Sequence, residues 1–237
     1  MAPSPPPSSS PPDEYTTLCD KTGAGIVTER RSRFLAFAHH VTTPDEAKAL
    51  VAAYRKKYYD ARHVCFAYVI GPTGDTYRTN DDGEPSGTAG RPIIGQIRSA
   101  ALTDTLVVVV RYFGGVKLGT SGLAEAYRSA AHAAIADAGA VTRVVTRPVT
   151  VTLPYTAMNG VMRAAKDMSA KVISQTYGTH GECRLTLRVR ASAASRLRGL
   201  LSRLPGVTDV TDDTDDVTND TDDVMKDPAD IPVVPDE

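Results

Sequence analysis

The chain of 237 residues contains no tryptophan, only four phenylalanines and three cysteines. With so few large aromatic rings, we do not expect the series of base-stacking platforms on which single-strand nucleic-acid binders depend. No apolar run approaches the roughly 20 residues needed to cross a bilayer. Residues 1–12 are rich in proline and serine and lack the basic start and apolar run of a signal peptide. The lack of a membrane-spanning run and of a signal peptide predicts a cytosolic location.

The three cysteines, Cys19, Cys65 and Cys183, are far apart and form no Cys-x-x-Cys pair. This spacing is typical of reduced thiols and excludes both a disulfide framework and a cysteine-based zinc site. Cys65 alternates with apolar neighbours in a predicted strand, so we interpret it as a core residue. We assign no cofactor and no metal ion to the chain.

The formal net charge of −1 conceals a strong asymmetry along the sequence. From Asp209 onward there are 12 acidic residues and a single base, Lys226, whereas 26 basic and 14 acidic residues lie between Tyr15 and Thr208. A basic body with an acidic tail is typical of a protein that binds a polyanion, although a solvated surface with a solubilising tail gives the same pattern. We expect the tail to fold back on the basic body and compete with nucleic acid.

Hydrophobic periodicity predicts two α+β domains between two disordered tails, with the tails at 1–14 and 211–237. The first domain, 15–145, has predicted strands at 33–41, 63–71, 75–79 and 105–111 and predicted helices at 44–59, from Pro92, and at 121–138. The second domain, 147–210, has the order β-α-β-β-α-β, which predicts a ferredoxin-like unit. In one of its strands Arg184, Arg188 and Arg190 share a face.

Two glycine-rich loops are the most informative segments, and each precedes a predicted helix. The second loop, 111–120 (RYFGGVKLGT), also follows a strand, so its backbone amides and the helix N-terminus could bind an anion. It is not a Walker A loop, because Thr120 rather than lysine follows Gly119. The candidate anion-binding residues here are Gly114, Gly115, Gly119, Lys117, Arg111 and Arg128.

The first loop, 81–90 (DDGEPSGTAG), concentrates the carboxylates of Asp81, Asp82 and Glu84. Such a cluster could hold magnesium with a substrate phosphate or supply an acid and a base. Asp-Asp-Gly is also ordinary turn chemistry, and its carboxylates could pair with neighbouring arginines. Arg91 follows this loop, and the densest basic patch runs from Arg55-Lys56-Lys57 to Arg62 and His63. We include Arg62, His63 and Arg91 among the candidate anion-binding residues.

Three segments resemble the signatures of the IMPACT/YigZ family: 62–68 (RHVCFAY), 81–92 (DDGEPSGTAGRP) and 110–119 (VRYFGGVKLG). The resemblance covers about 24–140, and residues 147–210 resemble the small ferredoxin-like domain of its bacterial two-domain members. It implies a first domain like the second domain of a small-subunit ribosomal protein, so that the pair resembles consecutive domains of translational GTPases, the first of them like domain IV.

The eukaryotic relatives restrain a stress-response kinase pathway by competing for its ribosome-associated activator, partly through an additional N-terminal domain. We expect no such domain here, so the kinase-pathway role does not carry over directly. The resemblance to the bacterial two-domain architecture implies RNA or ribosome binding, and it transfers no catalytic residue. Our leading hypothesis is a cytosolic, non-catalytic regulator of translation that binds RNA or the ribosome through basic and glycine-rich loops, with a protein partner in translation control as a further expectation. The rival hypothesis is an enzyme that acts on a small phosphorylated metabolite through Asp81, Asp82 and Glu84.

Overall fold

The computed structural model describes residues 13–178 and 181–212. Most of the two predicted tails lies outside the described residues. The exceptions are Asp13 and Glu14 at one end and Thr211 and Asp212 at the other, of which Glu14, Thr211 and Asp212 belong to strands. The structure is a mixed α and β fold that divides into two compact units, one of residues 15–142 and one of residues 13–14 and 143–212.

The first unit is built around a five-stranded antiparallel sheet with three helices. Its elements in chain order are β1 (Glu14–Leu18), β2 (Gly23–Glu29), β3 (Ser32–His40), α1 (Pro44–Lys57), β4 (His63–Ile70), β5 (Thr76–Asn80), α2 (Gly90–Ser99), β6 (Thr105–Tyr112), α3 (Gly119–Ala138) and β7 (Ala140–Val144). The strand order in the sheet is β2-β3-β6-β4-β5, while β1 and β7 pair as a separate two-stranded sheet. β1, β2 and β7 were not predicted from the sequence.

The sheet is buried on both faces because helices cover each side. On one face α1 packs through Leu50, Val51 and Tyr54 against alternate residues of β3, β4 and β6. On the other face α2 and α3 pack against the remaining alternate residues, which include Val107 and Val109 of β6. The continuous apolar run of β6 follows from this position, since a strand covered on both sides has no solvent-facing residues.

The start of α1 has the Thr43 cap that its sequence predicts, while Glu46 binds back to the amide one residue before the cap instead of to that of Thr43 itself. The Thr43 hydroxyl accepts a hydrogen bond from the Glu46 amide at 3.2 Å, and the Glu46 carboxylate accepts one from the Thr42 amide at 2.9 Å. Basic residues in the last turn, Arg55, Lys56 and Lys57, face the negative end of the helix dipole. The helix therefore begins with two acidic residues in its first turn, Asp45 and Glu46, and ends in a cluster of cations, both of which suit the helix dipole.

The second unit contains a four-stranded antiparallel sheet in the order β11-β8-β10-β9 with two helices. Its elements are β8 (Thr146–Pro154), a 3-10 turn (Tyr155–Ala157), α4 (Met158–Asp167), β9 (Lys171–Tyr177), β10 (Glu182–Arg190), α5 (Ala191–Leu201) and β11 (Asp209–Asp212). Alternate residues of β8 and β10 pack against α4 and α5 in one core. In the described part of the chain, no helix is both long and apolar enough to cross a membrane.

Candidate nucleic-acid interface

The antiparallel register brings several basic segments to one end of the five-stranded sheet. Arg33 near the start of β3 pairs with Tyr112 at the end of β6, and His63 at the start of β4 pairs with Arg111. The β2–β3 turn, the end of α1 and the loop after β6 therefore lie at this same end. We call it the cationic end, because the basic residues of these segments are Arg30, Arg31, Arg33, Arg55, Lys56, Lys57, Arg62, Arg111 and Lys117.

The β2–β3 turn at the cationic end consists of two arginines in the left-handed region. Arg30 has φ 44° and Arg31 has φ 69°, and both side chains are exposed. Type I′ hairpin turns need positive φ at both central residues and usually take Asn-Gly for this reason. Arginine in this conformation costs about 1 kcal/mol or more per residue, so the turn presents two cations at the expense of local strain. This turn was not predicted from the sequence.

The second glycine-rich loop packs directly on that turn. A Cβ added to Gly114 would overlap the backbone of Arg31 and Ser32, so only glycine fits. The Gly114 amide donates a hydrogen bond to Ser32 Oγ at 3.2 Å. Phe113 and Val116 in this loop are 49% and 40% exposed, and Lys117 is also exposed. The loop thus holds a cation and two apolar side chains beside the arginine turn.

The first glycine-rich loop is organised by the carboxylate of Asp81. This carboxylate accepts hydrogen bonds from the amides of Gly87 at 2.8 Å, Ala89 at 3.0 Å and Gly90 at 2.8 Å. Burial acts to raise the pKa of Asp81, but these three amides and the charge of Arg91 outweigh it and lower the pKa overall. Asp81 therefore occupies the amide donors at the start of α2 that an external anion would need.

Asp82 is fixed by an equally complete set of contacts. One carboxylate oxygen accepts a hydrogen bond from Arg55 at 2.5 Å, and the other accepts one from the Val64 amide at 2.7 Å. Its carbonyl lies 2.7 Å from His63 Nδ1. Because a carbonyl can only accept, His63 must carry its proton on Nδ1 to make this bond.

Glu84 is buried and joins the first loop to β6 and α3. Its Oε1 accepts hydrogen bonds from Arg111 Nη1 at 2.5 Å and from the Tyr127 hydroxyl at 2.8 Å. His63 Nε2 lies 3.7 Å from the same oxygen. Arg111 Nη2 lies 3.4 Å from the Ser32 hydroxyl and makes a weak contact there. This hydrogen-bond network connects the two glycine-rich loops, and most of the surface of its side chains is buried.

Cys65 completes this network from β4. Its sulfur lies 3.3 Å from the Tyr127 hydroxyl and 3.1 Å from the Asp81 carbonyl. Burial raises the pKa of the Cys65 thiol, and burial also raises the pKa of Tyr127. Both groups are therefore neutral at physiological pH, and Cys65 lacks the thiolate character that a nucleophile needs.

These contacts leave the first loop without a free carboxylate cluster for a metal ion or for acid–base chemistry. Asp81 binds backbone amides, Asp82 binds Arg55 and an amide, and Glu84 binds Arg111. Within residues 13–178 and 181–212, no three His, Cys, Asp or Glu side chains form a group suited to a metal. The magnesium and acid–base hypotheses for this loop therefore find no geometric support, because its oxygens are already used to hold the loop together.

Arg91 and Arg128 occupy a different place from the other candidates. They line a shallow groove of about 360 Å³ beside α2 and α3. Its other lining residues are Gly87, Pro92, Gly95, Gln96, Ser99 and Ala124, none of which is acidic. Arg128 forms an ion pair with Glu125 on its own helix. Arg91 and Arg128 therefore lie on the same part of the protein surface, beside α2 and α3.

The remaining candidates lie at the cationic end, with one difference from expectation. Arg62, Gly115, Lys117 and Gly119 are exposed there, and His63 and Gly114 are half-buried. The side chain of Arg111, in contrast, is only 5% exposed and is paired with Glu84, so it does not present its charge to solvent. The sequence does hint at this, since two-residue alternation places Arg111 on the same face as Val107 and Val109.

Comparisons with known proteins bear on residues 30–135, which match the model of the Impact N-terminal domain. The chain is 33% identical over 150 residues to the IMPACT family member YigZ of Escherichia coli, covering 62% of this chain and 74% of that protein. The chain belongs to the IMPACT family. It is also 39% identical over 142 residues to the family member YvyE of Bacillus subtilis, covering 60% of this chain and 65% of that protein.

This IMPACT family chain also resembles a solved structure described as a hypothetical protein. The two share 27% sequence identity with a TM-score of 0.62, over 80% of this chain and 92% of the other. The residues of the cationic end all fall within the segment that matches the Impact N-terminal domain.

Proposed function

We propose that this chain is a non-catalytic regulator of translation in the cytoplasm that binds RNA or the ribosome through the cationic end. The observation that supports this is the convergence of the arginine turn, the second glycine-rich loop and Arg62 at one end of a rigid sheet. Arg62 is fixed there because its amide donates a hydrogen bond to the Arg111 carbonyl at 3.0 Å. Cations held by the backbone in this way can contact successive phosphates of a polyanion.

The acidic residues at this end neutralise only some of its cations, since Glu29 lies 3.7 Å from exposed Arg30 and, among the described residues, other cations have no such partner. Asp82 and Glu84 are paired with Arg55 and Arg111, and Asp81 is bound to backbone amides. Arg31, Arg62 and Lys117 form no ion pair in the described ranges. The carboxylates therefore offset the charges of Arg30, Arg55 and Arg111, and the unpaired cations that remain favour the attraction of phosphate groups.

The second unit adds three arginines on one face of its sheet, of which Arg190 is paired with Glu14 at 2.9 Å. Leu185, Leu187 and Val189 of β10 point into the core, so the alternation places Arg184, Arg188 and Arg190 on the opposite side of the sheet. The order of elements and the strand order β11-β8-β10-β9 agree with the ferredoxin-like fold that we propose for this unit. For the first unit we propose the fold of the second domain of a small-subunit ribosomal protein, as in domain IV of translational GTPases.

A salt series of RNA binding tests the proposal. Fluorescence anisotropy with a labelled ribosomal RNA fragment measures affinity for the wild type and for the double variant Arg31→Ala/Lys117→Ala. We expect the slope of log affinity against log salt to decrease by about 1.4, since each lost phosphate contact to a single strand contributes about 0.7. Lys21→Ala/Lys48→Ala is the matched control, because it removes the same charge from exposed residues at the opposite end of the sheet.

The control separates a specific surface from a general effect of charge. If both double variants lose affinity equally, net charge alone accounts for binding and the cationic end is not the interface. If wild-type affinity does not change with salt, the proposal itself fails.

Deletion of residues 213–237 tests the role of the acidic tail, which lies outside the described residues. If this tail competes with RNA, its deletion should tighten binding at low salt. An unchanged affinity would mean that the tail does not take part in binding.

A further inference from the structure

Phe113 is a large apolar residue exposed in the middle of the cationic end. It follows β6 directly, lies between Arg111 and Gly114 in the chain, and is 49% exposed. An aromatic ring normally buries most of its surface, because its apolar area is large. In this structure about half of the surface of Phe113 is exposed to solvent at the cationic end. This exposure needs a physical explanation.

The ring of Phe113 is held in place from its protein side. The Arg111 guanidinium carbon lies 5.6 Å from its centroid, within the distance of a cation–π contact. Arg111 is itself fixed by Glu84 at 2.5 Å. On the other side, Gly114 is locked against the backbone of Arg31 and Ser32. The ring is therefore attached to a rigid base and loses little conformational freedom when something covers it.

We propose that the exposed part of Phe113 stacks on an unpaired base, so that the RNA bound at the cationic end is single-stranded or looped. This inference rests on the proposed function and names the class of RNA. A nucleobase has a flat π surface that fits an aromatic ring, whereas the bases inside a duplex are already stacked on each other. Arg31, whose backbone packs on Gly114, and Lys117, four residues after Phe113, are exposed and supply cations for the phosphates that flank such a base.

Tyr59 offers a comparison at the same end of the sheet. It follows α1 and is 85% exposed, so few protein atoms hold its ring. Ordering such a side chain on binding costs conformational entropy that the fixed ring of Phe113 does not lose. Tyr59→Ala is therefore a control with the same kind of side chain, and we expect it to change affinity much less than Phe113→Ala.

The absence of tryptophan from the chain provides a direct probe. In Phe113→Trp the new residue is the only indole, and its fluorescence should be quenched when an unstructured RNA oligonucleotide binds. A duplex of the same length and heparin, which carries charge but no bases, should bind at low salt without that quenching. Equal fluorescence changes with heparin and with single-stranded RNA would overturn the stacking proposal.

Affinity measurements distinguish stacking from a structural role. Phe113→Ala should weaken binding of the single strand by at least about fivefold and leave heparin binding unchanged. Phe113→Leu keeps apolar packing but has no π surface, so we expect it to bind as weakly as the alanine variant, while Phe113→Tyr retains affinity. If leucine restores binding, the ring only supports the loop. If Arg31→Ala/Lys117→Ala weakens RNA binding but Phe113→Ala leaves it unchanged, the proposed function stands and stacking is wrong.

Discussion

Glu84 and Arg111 form a buried ion pair that joins the first glycine-rich loop to the end of the central strand. Their side chains are 3% and 5% exposed, and Glu84 Oε1 lies 2.5 Å from Arg111 Nη1. Neither charge could remain buried alone, because the loss of hydration is only offset by the partner. Together with the contacts of Asp81 and Asp82, this pair fixes the position of the first loop.

Removal of one member of this pair should therefore be strongly destabilising. We expect Glu84→Gln or Arg111→Met alone to lower the free energy of unfolding by about 3–5 kcal/mol, since each leaves a buried charge without its partner. The double variant Glu84→Gln/Arg111→Met should lose less than the sum of the two single changes, because it removes both buried charges together. Urea denaturation measures all three. Strict additivity would show that the two side chains act independently.

The position of Arg111 shows which information the sequence did and did not contain. The strands β3, β4, β5 and β6 and the three helices of the first unit were predicted close to their observed bounds, since their apolar periodicity is strong. The partner of Arg111 was not predictable, because Glu84 lies 27 residues away in the sequence and only the fold brings them together. The local sequence pattern therefore predicted the position of β6, but it did not predict that the charge of Arg111 at its end is buried and paired.

β2 was missed for a different reason. Its sequence begins with Gly-Ala-Gly, and glycine has low strand propensity. Both glycines are required by packing, because a Cβ at Gly23 or Gly25 would overlap the backbone of α3 near Ala134. Because α3 lies so close to β2, only glycine fits at these two positions, and the glycines remove the residue pattern from which a strand is predicted. The arginine turn that follows β2 was missed in consequence, and it contributes two cations to the candidate interface.

The carboxylate of Asp81 should give the protein a measurable dependence on acid. Because its pKa in the folded protein is lowered, its contribution is complete above the unfolded value of about 3.9 and is lost as pH falls through the folded pKa. Asp81→Asn should reduce the free energy of unfolding at pH 7 by about 1–2 kcal/mol. The difference from wild type should shrink towards zero below the folded pKa.

Urea titrations at a series of pH values test this expectation. Asp167→Asn is a suitable control, since Asp167 is exposed at the end of α4 and its substitution should change stability by no more than about 0.5 kcal/mol at any pH. A pH-independent difference between wild type and Asp81→Asn would mean that the three amide hydrogen bonds do not depend on the charge of the carboxylate.

The thiol of Cys65 should be unreactive in the folded protein. Burial raises the pKa of its thiol, and the side chain is inaccessible, so neither thiolate nor reagent is available. Cys183 is also buried, whereas Cys19 is half-buried. With Ellman's reagent at pH 8 we expect at most one of the three thiols to react before unfolding, and all three in urea. A Cys19→Ser variant should then show no reaction in the folded state, and a fast reaction there would contradict this account of Cys65.

Two glycines provide a matched pair of substitutions with opposite expected effects. Gly114→Ala places a Cβ against the backbone of Arg31 and Ser32, so we expect a loss of about 1–3 kcal/mol in the free energy of unfolding as the loop is displaced. Gly95→Ala lies within α2, where a Cβ meets no atom within 4 Å. It should stabilise the protein by up to about 1 kcal/mol, because alanine has the higher helix propensity.

The same pair tests whether the loop must be anchored to bind RNA. Displacement of the loop separates Lys117 and Phe113 from the arginine turn, so Gly114→Ala should weaken binding even at temperatures where the variant remains fully folded. Gly95→Ala should retain wild-type affinity, since it changes only the floor of the groove beside Arg91. Equal affinities for the two variants, measured by anisotropy with each protein shown to be folded by circular dichroism, would mean that contact between the loop and the turn is not required for the interface.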